Sequence, residues 1–458
     1  MVGCRSLGAT EVPPSLGPLG AESNVGARAD RCPPFTAVEG SASTPPLRRP
    51  NQPPLSMPIL RLKPGHVQPV WAGHPWVYAQ AVDRVEGGAT AGEEVSVVDP
   101  RGNLIGRGFY SPGSAIPVRI LARDATTRLD ASFFRARIEQ ALAMRASLGL
   151  PGERTSGFRI VHAEGDGLPG FIADLYGDVV AVQIGTLGMK QREALLYEAL
   201  KNALSPRAVV DRSSAPIAKT EGFVASTGVV RGDDLRELDF TERGLHYRIP
   251  LQLGQKTGFY FDQRPLRARV EQLAAGKRVL DTYCFVGAFA IGAARGGARE
   301  VVAVDESALA LEVGAECAAM NGVSERVSFR KEDARRALVD AKGEYDLVIA
   351  DPPRLAPTRG ARDQALLAYA KLAENGCRAT RPGGLLVLCS CSAAVDLTAL
   401  TRALSTGAAR AGTEATVLER WFQGFDHPVP AAFAEGLYLK ALIARVEPRA
   451  RAGVAAAP

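Results

Sequence analysis

Lys277-Arg-Val-Leu-Asp-Thr-Tyr-Cys-Phe-Val-Gly-Ala-Phe-Ala-Ile-Gly-Ala-Ala-Arg-Gly-Gly-Ala-Arg-Glu-Val-Val-Ala-Val-Asp305 is the stretch that decides the fold. Arg278 to Asp281 is a short apolar run ending in a carboxylate, as a buried parallel strand does. Phe285-Val286-Gly287-Ala288-Phe289 reads as a tight small-residue turn, and Phe289 to Ala294 as the helix after it. Glu300 to Val304 is a second strand, closed by Asp305. The pattern predicts a β-α-β unit with a ligand-sized gap at the carboxyl ends of its strands.

The chemistry of that gap narrows the ligand. Gly287 allows close backbone approach, and Asp305 suits a ribose diol. A dinucleotide fingerprint is absent, because Ala288 and Gly292 do not complete Gly-x-Gly-x-x-Gly. Val327 to Arg330 reads as a third strand, followed by Asp333, an acid that suits an adenine amino group or a helix cap. Tyr345 to Ala350 is a further strand, ending in Asp351-Pro352-Pro353. Together these features resemble the signatures of S-adenosylmethionine-dependent methyltransferases. An ordinary Rossmann unit of other function remains the alternative.

The totals set outer bounds. A chain of 458 residues suggests about three domains. With 46% hydrophobic and 23% charged residues it has the composition of a soluble protein. Apolar runs long enough for a membrane span are absent, as is a basic-then-apolar leader. Seven scattered cysteines without Cys-x-x-Cys spacing point to reduced thiols in the cytoplasm, and to no metal site. A net charge of +6 allows a polyanionic partner such as RNA, although an Arg-rich composition gives the same balance.

Taken in order, residues 1–56 are rich in Pro, Gly, Ser and Ala without a period, and are expected to be a disordered extension. Met57 is a candidate true start. Residues 57–128 read as all-β: Ile59 to Leu62, Glu94 to Asp99, a turn at Pro100 to Asn103, Leu104 to Tyr110, and Val118 to Leu121. Among these lies Gly73-His74-Pro75-Trp76-Val77-Tyr78. The set resembles a PUA domain, a small RNA-binding β-barrel. His74, Trp76 and Tyr78 are then candidates to stack on bases, with barrel filling as the alternative. Lys63, His66, Arg84, Arg101 and Arg107 are candidate phosphate contacts.

Residues 129–250 read as a central α/β segment. Asp130 caps a helix to Leu148, and Phe158 to Phe171 reads strand, loop, strand, its Asp166-to-Gly170 loop a turn. Val179 to Ile184 is a strand and Lys190 to Leu204 a helix. Residues 251–446 form the cofactor domain, opened by the polar, aromatic run Gly254 to Arg264, which can reach the ligand. Within it Asp262 is placed to cap the next helix and Pro265 to open it. Beyond Asp305, Leu309 to Asn321 is a helix, and Gly436 to Val446 completes the sheet. Residues 447–458 read as a flexible tail.

Two features separate the candidate chemistries. Arg354 follows Asp351-Pro352-Pro353, where amino-group methyltransferases place an aromatic residue. Gly383-Gly384 makes a turn into the run Leu385 to Ser392, which places Cys389 inside a strand and Cys391 at its mouth. Carbon-5 of a pyrimidine is a poor nucleophile until a thiolate adds at carbon-6, so a cysteine at a strand end suits C5 methylation. An acid near the ring nitrogen holds the adduct. Burial of both cysteines as small hydrophobes is the alternative.

From Met57 to about Val446 the chain resembles the bacterial large-subunit ribosomal RNA cytosine-5 methyltransferase family. The resemblance rests on Gly73 to Tyr78, His162 to Gly170, Thr257 to Arg264, Asp281 to Phe289, Asp351-Pro352-Pro353 and Ser390-Cys391-Ser392. It implies an α/β fold: a Rossmann-like class I methyltransferase domain, a central α+β domain and an N-terminal PUA-like β-barrel. It implies S-adenosylmethionine as cofactor and RNA as partner, and leaves the oligomeric state open, a homodimer included. By this resemblance Cys391 is the nucleophile and Asp351 faces the base. Gln255, Thr257, Gly258, Tyr260, Asp262, Arg264, Asp281, Tyr283, Phe285, Gly287, Asp305 and Asp333 hold the cofactor. An N-methyltransferase and a non-catalytic RNA-binding assembly factor remain the rivals.

Overall fold

The computed structural model describes residues 57–253, 257–355, 360 and 362–449. The expectations for residues 1–56, for Gln255 and for the tail beyond 449 fall outside the described residues.

Six strands form the N-terminal sheet: β1 (Ile59–Leu62), β2 (Trp76–Val77), β3 (Val82–Glu86), β4 (Glu94–Val98), β5 (Leu104–Tyr110) and β6 (Val118–Ala122). Their spatial order is β2-β6-β5-β4-β1-β3. Alternation in β1 buries Leu60 and Leu62 and leaves Ile59 and Arg61 half-buried, because successive side chains leave a strand on opposite faces. With Val77, Val95, Val97 and Ile120 they make this domain's core.

The central sheet orders β7 (Gly157–His162), β8 (Phe171–Tyr176), β9 (Val179–Ile184), β10 (Ala208–Arg212) and β11 (Thr227–Gly232) as β11-β10-β9-β8-β7. The helix Ala131–Ser147 starts at Asp130, whose carboxylate accepts from the Ser132 and Phe133 N–H groups. The helix expected from Lys190 to Leu204 is two, Leu187–Lys190 and Glu193–Leu204, broken at Gln191 and Arg192. Hairpin β12 (Glu237–Glu242) and β13 (Leu245–Pro250) carries Phe240 and Tyr247 into one aromatic cluster with Tyr176, Phe259 and Phe261. A boundary at residue 250 therefore cuts through a core shared by the central and cofactor regions.

The third sheet is seven-stranded: β14 (Arg278–Thr282), β15 (Glu300–Asp305), β16 (Val327–Lys331), β17 (Tyr345–Ala350), β18 (Thr380–Ser390), β19 (Thr413–Phe422) and β20 (Lys440–Pro448). The order is β16-β15-β14-β17-β18-β20-β19, parallel through β18, with β20 antiparallel to both neighbours. Two buried clusters cover its two faces, so its inner strands read as unbroken apolar runs. The order reverses between β14 and β17, where open α/β sheets bind ligands.

Two expectations change here. The strand expected from Leu385 starts earlier, at Thr380, with Gly383 (φ 78°) turning the chain between the paired Tyr345↔Thr380 and Leu347↔Leu385. Glu447 is no tail residue, because β20 runs on to Pro448 and pairs Glu447 with Glu414. β20 completes the sheet as expected, lying between β18 and the edge strand β19.

Candidate active site at the carboxyl ends of the seven-stranded sheet

The loop after β14 is built under strain. Tyr283, Phe285 and Gly287 all have positive φ, at 61°, 53° and 69°. Non-glycine residues there cost about 1–3 kcal/mol each and persist only where surroundings hold them. Asp305 supplies that hold: its Oδ2 accepts from the Phe285 N–H at 2.9 Å and its Oδ1 from the Ser307 N–H at 3.0 Å. Cys284 N donates to the Val304 carbonyl at 3.0 Å. Asp281, fully buried, accepts from the Ala290 N–H at 3.0 Å, at the start of the helix Ala288–Arg295. Burial, with the nearby Asp351 and Asp305 charges, pushes the Asp281 carboxyl well above the usual range.

Beside this loop lies the end of β17. Register places Thr282 opposite Ala350 and Ala350 opposite Leu388, so Asp351 stands between Tyr283 and Cys389. Asp351 Oδ2 accepts from Gln263 Nε2 at 2.9 Å. Tyr260 packs edge-on against Phe285, centroids 5.6 Å apart. Burial pushes the Tyr260 hydroxyl up to about 12, helped by the charges of Asp262, Asp351, Cys391 and Asp305. The two thiols separate as their strand positions predict. Cys389 is fully buried, and burial followed by the Asp351 charge holds its thiol well above the ordinary value. Cys391, one residue past β18, is half-buried.

Residues 60–123 match the PUA-like domain family and residues 222–442 the S-adenosylmethionine-dependent methyltransferase family. The ribosomal RNA large subunit methyltransferase I of Shewanella denitrificans is 35% identical over 393 residues, 84% of this chain and 99% of that protein. Its Klebsiella pneumoniae counterpart is 33% identical over 394 residues, 85% and 98% of the two chains. The chain belongs to the ribosomal RNA large subunit methyltransferase I family. In fold it is similar to SMU.776, solved in complex with SAH, with a TM-score of 0.74 at 18% identity over 84% of this chain and 99% of that one. Membership of this family makes the chain an S-adenosylmethionine-dependent methyltransferase.

The residues fit that cofactor. Asp281 Oδ1 and Gln263 Oε1 are buried acceptors with no hydrogen-bond partner among the described residues, beside the strained loop. Tyr283 and Phe285 present half-buried rings there, and burial pushes the Tyr283 hydroxyl up to about 12. These residues, with Tyr260 and Asp305, are the ones whose chemistry suits the family's cofactor.

Other expected cofactor contacts turn inward. Thr257 Oγ1 donates to Asp174, and Gly258 (φ 139°) lies against Leu238 and Tyr176. Asp262 does not cap the helix Arg264–Leu273, whose cap is Gln263 without a side-chain bond. It accepts instead from Tyr438 Oη at 2.6 Å. Arg264 is buried on Glu242 and Asp426 at 3.2 and 3.1 Å. Asp333 is a helix cap, accepting from the Arg335 and Arg336 N–H groups at 2.8 and 3.0 Å. Gly287 has an unexpected reason: a Cβ would stand 2.6 Å from the Phe329 ring, so it is required by packing and by its φ. The grip of Gln263 on Asp351 had no sequence signal, because it joins residues 88 apart.

The aromatic trio of the PUA-like domain is also committed. Trp76 Nε1 donates to Glu164 at 2.7 Å, and Tyr78 Oη to Glu435 at 2.9 Å. His74 lies 3.3 Å from Glu435, and both His74 and Trp76 meet Phe433 edge-on. These rings join the domain to the central and C-terminal regions, which corrects their expected use as open base platforms. Arg107, expected at a phosphate, is buried against Glu94 at 3.2 Å, and Arg84 is paired with Asp83 and Glu86. Lys63, His66 and Arg101 stay exposed. Among the described residues no His, Cys, Asp and Glu group could hold a metal, and no helix is long and apolar enough to cross a membrane.

Proposed function

We propose that the protein methylates carbon-5 of a cytosine in large-subunit ribosomal RNA through a covalent Cys391 adduct. The observation that carries this reading is the pair of thiols at β18: Cys389 sealed in the core, Cys391 half-buried past the strand end, near Asp351. The Cys391 thiolate attacks carbon-6, forming the S–C6 bond and pushing electrons toward carbon-5. The cofactor supplies an electrophilic methyl group on its sulfonium. Carbon-5 would take that methyl as the methyl–sulfur bond breaks and the neutral thioether leaves; loss of the C5 proton to solvent then restores the C5–C6 double bond and expels the thiolate. Asp351, oriented by Gln263, is placed to hold the polar edge of the base. Arg354 is exposed two residues beyond the buried Pro352, so no aromatic follows Asp-Pro-Pro to stack on an amino-group substrate. The PUA-like domain supports RNA as the substrate, with Lys63 among its exposed cations.

The test is tritiated methyl transfer to ribosomal RNA from a strain lacking this protein, with the product nucleoside identified by mass spectrometry. Wild type and Cys389→Ala should yield 5-methylcytidine, and Cys391→Ala should not. Full activity of Cys391→Ala, or an N-methyl product, overturns the thiolate mechanism in favour of nitrogen methylation. RNA binding without any transfer supports the assembly-factor reading.

A further inference from the structure

Lys440 opens β20 and is buried, at 3% exposure. A buried ammonium is costly unless its position serves a partner. Lys440 faces Ser390, the last residue of β18, across the antiparallel ladder. Its Nζ reaches past the strand end and donates to the Ser392 carbonyl at 2.9 Å. The side chain therefore spans Cys391, which sits between those two serines. The turn it anchors is otherwise fixed by Ser392 N on Ser390 Oγ at 3.3 Å, Val395 N on the Ser392 carbonyl at 3.1 Å, and Tyr369 Oη against Ser392 Oγ at 3.3 Å.

The charges around the thiol make this placement consequential. On one side stand the carboxylate of Asp351 and the buried thiol of Cys389, which feels both the Asp351 and Cys391 charges. Tyr260 faces the same charges from the loop before the Arg264–Leu273 helix. On the other side Asp396 is paired with Arg362 at 3.6 Å, and Tyr369 is neutral at working pH. A thiolate beside Asp351 is disfavoured unless a cation offsets it. Burial lowers Lys440 to about 8, with the Cys391 and Asp396 charges acting in the opposite sense.

We propose that Lys440 is the positioning residue of the thiol: its ammonium, anchored on the Ser392 carbonyl, stabilises the Cys391 thiolate, whose proton leaves to solvent before attack on the base. This rests on Cys391 being the nucleophile, but the test separates the two. The probe is iodoacetamide, with modification of Cys391 in the intact protein followed by peptide mass spectrometry from pH 6 to 10. Lys440→Gln keeps a donor for the carbonyl and removes the charge; Lys440→Arg keeps both. At pH 7 Lys440→Gln should react about tenfold more slowly than wild type, with its midpoint moved up, and Lys440→Arg within about twofold. The wild-type advantage should fade above pH 8, where Lys440 itself loses its proton. A Lys440→Gln profile that overlays wild type overturns the inference, even where methyl transfer is lost. Should Lys440→Gln not fold, Lys440→Met serves as the neutral variant, held to the same criterion. If Cys391→Ala remains active in methyl transfer, the nucleophile reading fails, while the alkylation profile still decides whether Lys440 sets this thiol.

Discussion

Gly287→Ala tests the strained cofactor loop most directly. The new Cβ would lie 2.6 Å from Phe329 Cε1 and 2.9 Å from Cζ, at a backbone φ of 69°. The left-handed conformation costs a non-glycine residue about 1–2 kcal/mol. Overpacking adds about 1–3 kcal/mol, toward the lower end here because Phe329 is half-buried on the outermost strand β16 and its ring can shift. The sum is roughly 2–4 kcal/mol. It is paid in one of two ways. If the loop holds, urea unfolding shows the whole loss as a lower midpoint with an unchanged slope. If the loop relaxes, the Phe285 N–H leaves Asp305 and SAH affinity falls by about tenfold for each ~1.4 kcal/mol displaced. Calorimetric SAH titration and urea melts on the same samples therefore account for the total. A cycle with Phe329→Leu should recover only the packing part, since the backbone part does not depend on the ring. A Gly287→Ala protein within ~0.5 kcal/mol of wild type, with SAH affinity within about twofold, would refute the reasoning.

Asp333→Ala should cost about 1 kcal/mol as a lost cap and leave SAH affinity within about twofold; a larger affinity loss would return Asp333 to the cofactor site. Its hydrogen bonds to Arg335 and the Arg336 N–H depress the Asp333 carboxyl to about 2. Its contribution is therefore present above the unfolded-state value near ~3.9 and is lost as pH falls toward about 2, which acid unfolding of wild type against Asp333→Ala should show. Glu242→Gln leaves the buried Arg264 and Arg267 guanidinium groups without the carboxylate they approach at 3.2 and 2.6 Å. It should destabilise the fold by about 3–5 kcal/mol in urea, somewhat less if Asp426 compensates. Trp76→Phe removes the bond to Glu164 and should lower stability by about 1.5–3 kcal/mol. Lys63→Ala should leave stability unchanged and reduce the salt slope of RNA binding by about one; the reverse pattern would undo the assignment of the ring to a joint and the lysine to RNA.

The catalytic sheet was readable because its strands are local. Arg278 to Asp281, Glu300 to Val304 and Tyr345 to Ala350 are apolar runs closed by acids, and the structure places strands there with shifts of one residue or none. Asp130 declared its helix in the same way, since a cap acts on its own next turn. The strand ends, and with them Asp281, Asp305, Asp351 and Cys391, follow from that local pattern and from the switch point it implies. The burial difference between Cys389 and Cys391 follows from position along one strand.

What stayed hidden depends on partners far away in the chain. No local feature tells that Thr257 and Asp262 serve Asp174 and Tyr438 while neighbouring Tyr260 and Gln263 turn to the site. The aromatic run before the helix looked uniform because side-chain direction in a non-repetitive loop is set by what packs on it. His74, Trp76 and Tyr78 likewise take their roles from Glu164, Phe433 and Glu435, which lie 88 to 361 residues away in sequence. Lys440 reads as an ordinary strand-opening lysine until antiparallel pairing lays it across the Ser390-to-Ser392 turn. Sequence by itself determined the periodic elements, the order of the domains and the residues at the strand ends, because backbone geometry and short-range capping fix them. Tertiary structure alone decided which polar groups are consumed in holding the site and which face it, because a buried charge takes whatever partner the fold brings within hydrogen-bonding distance.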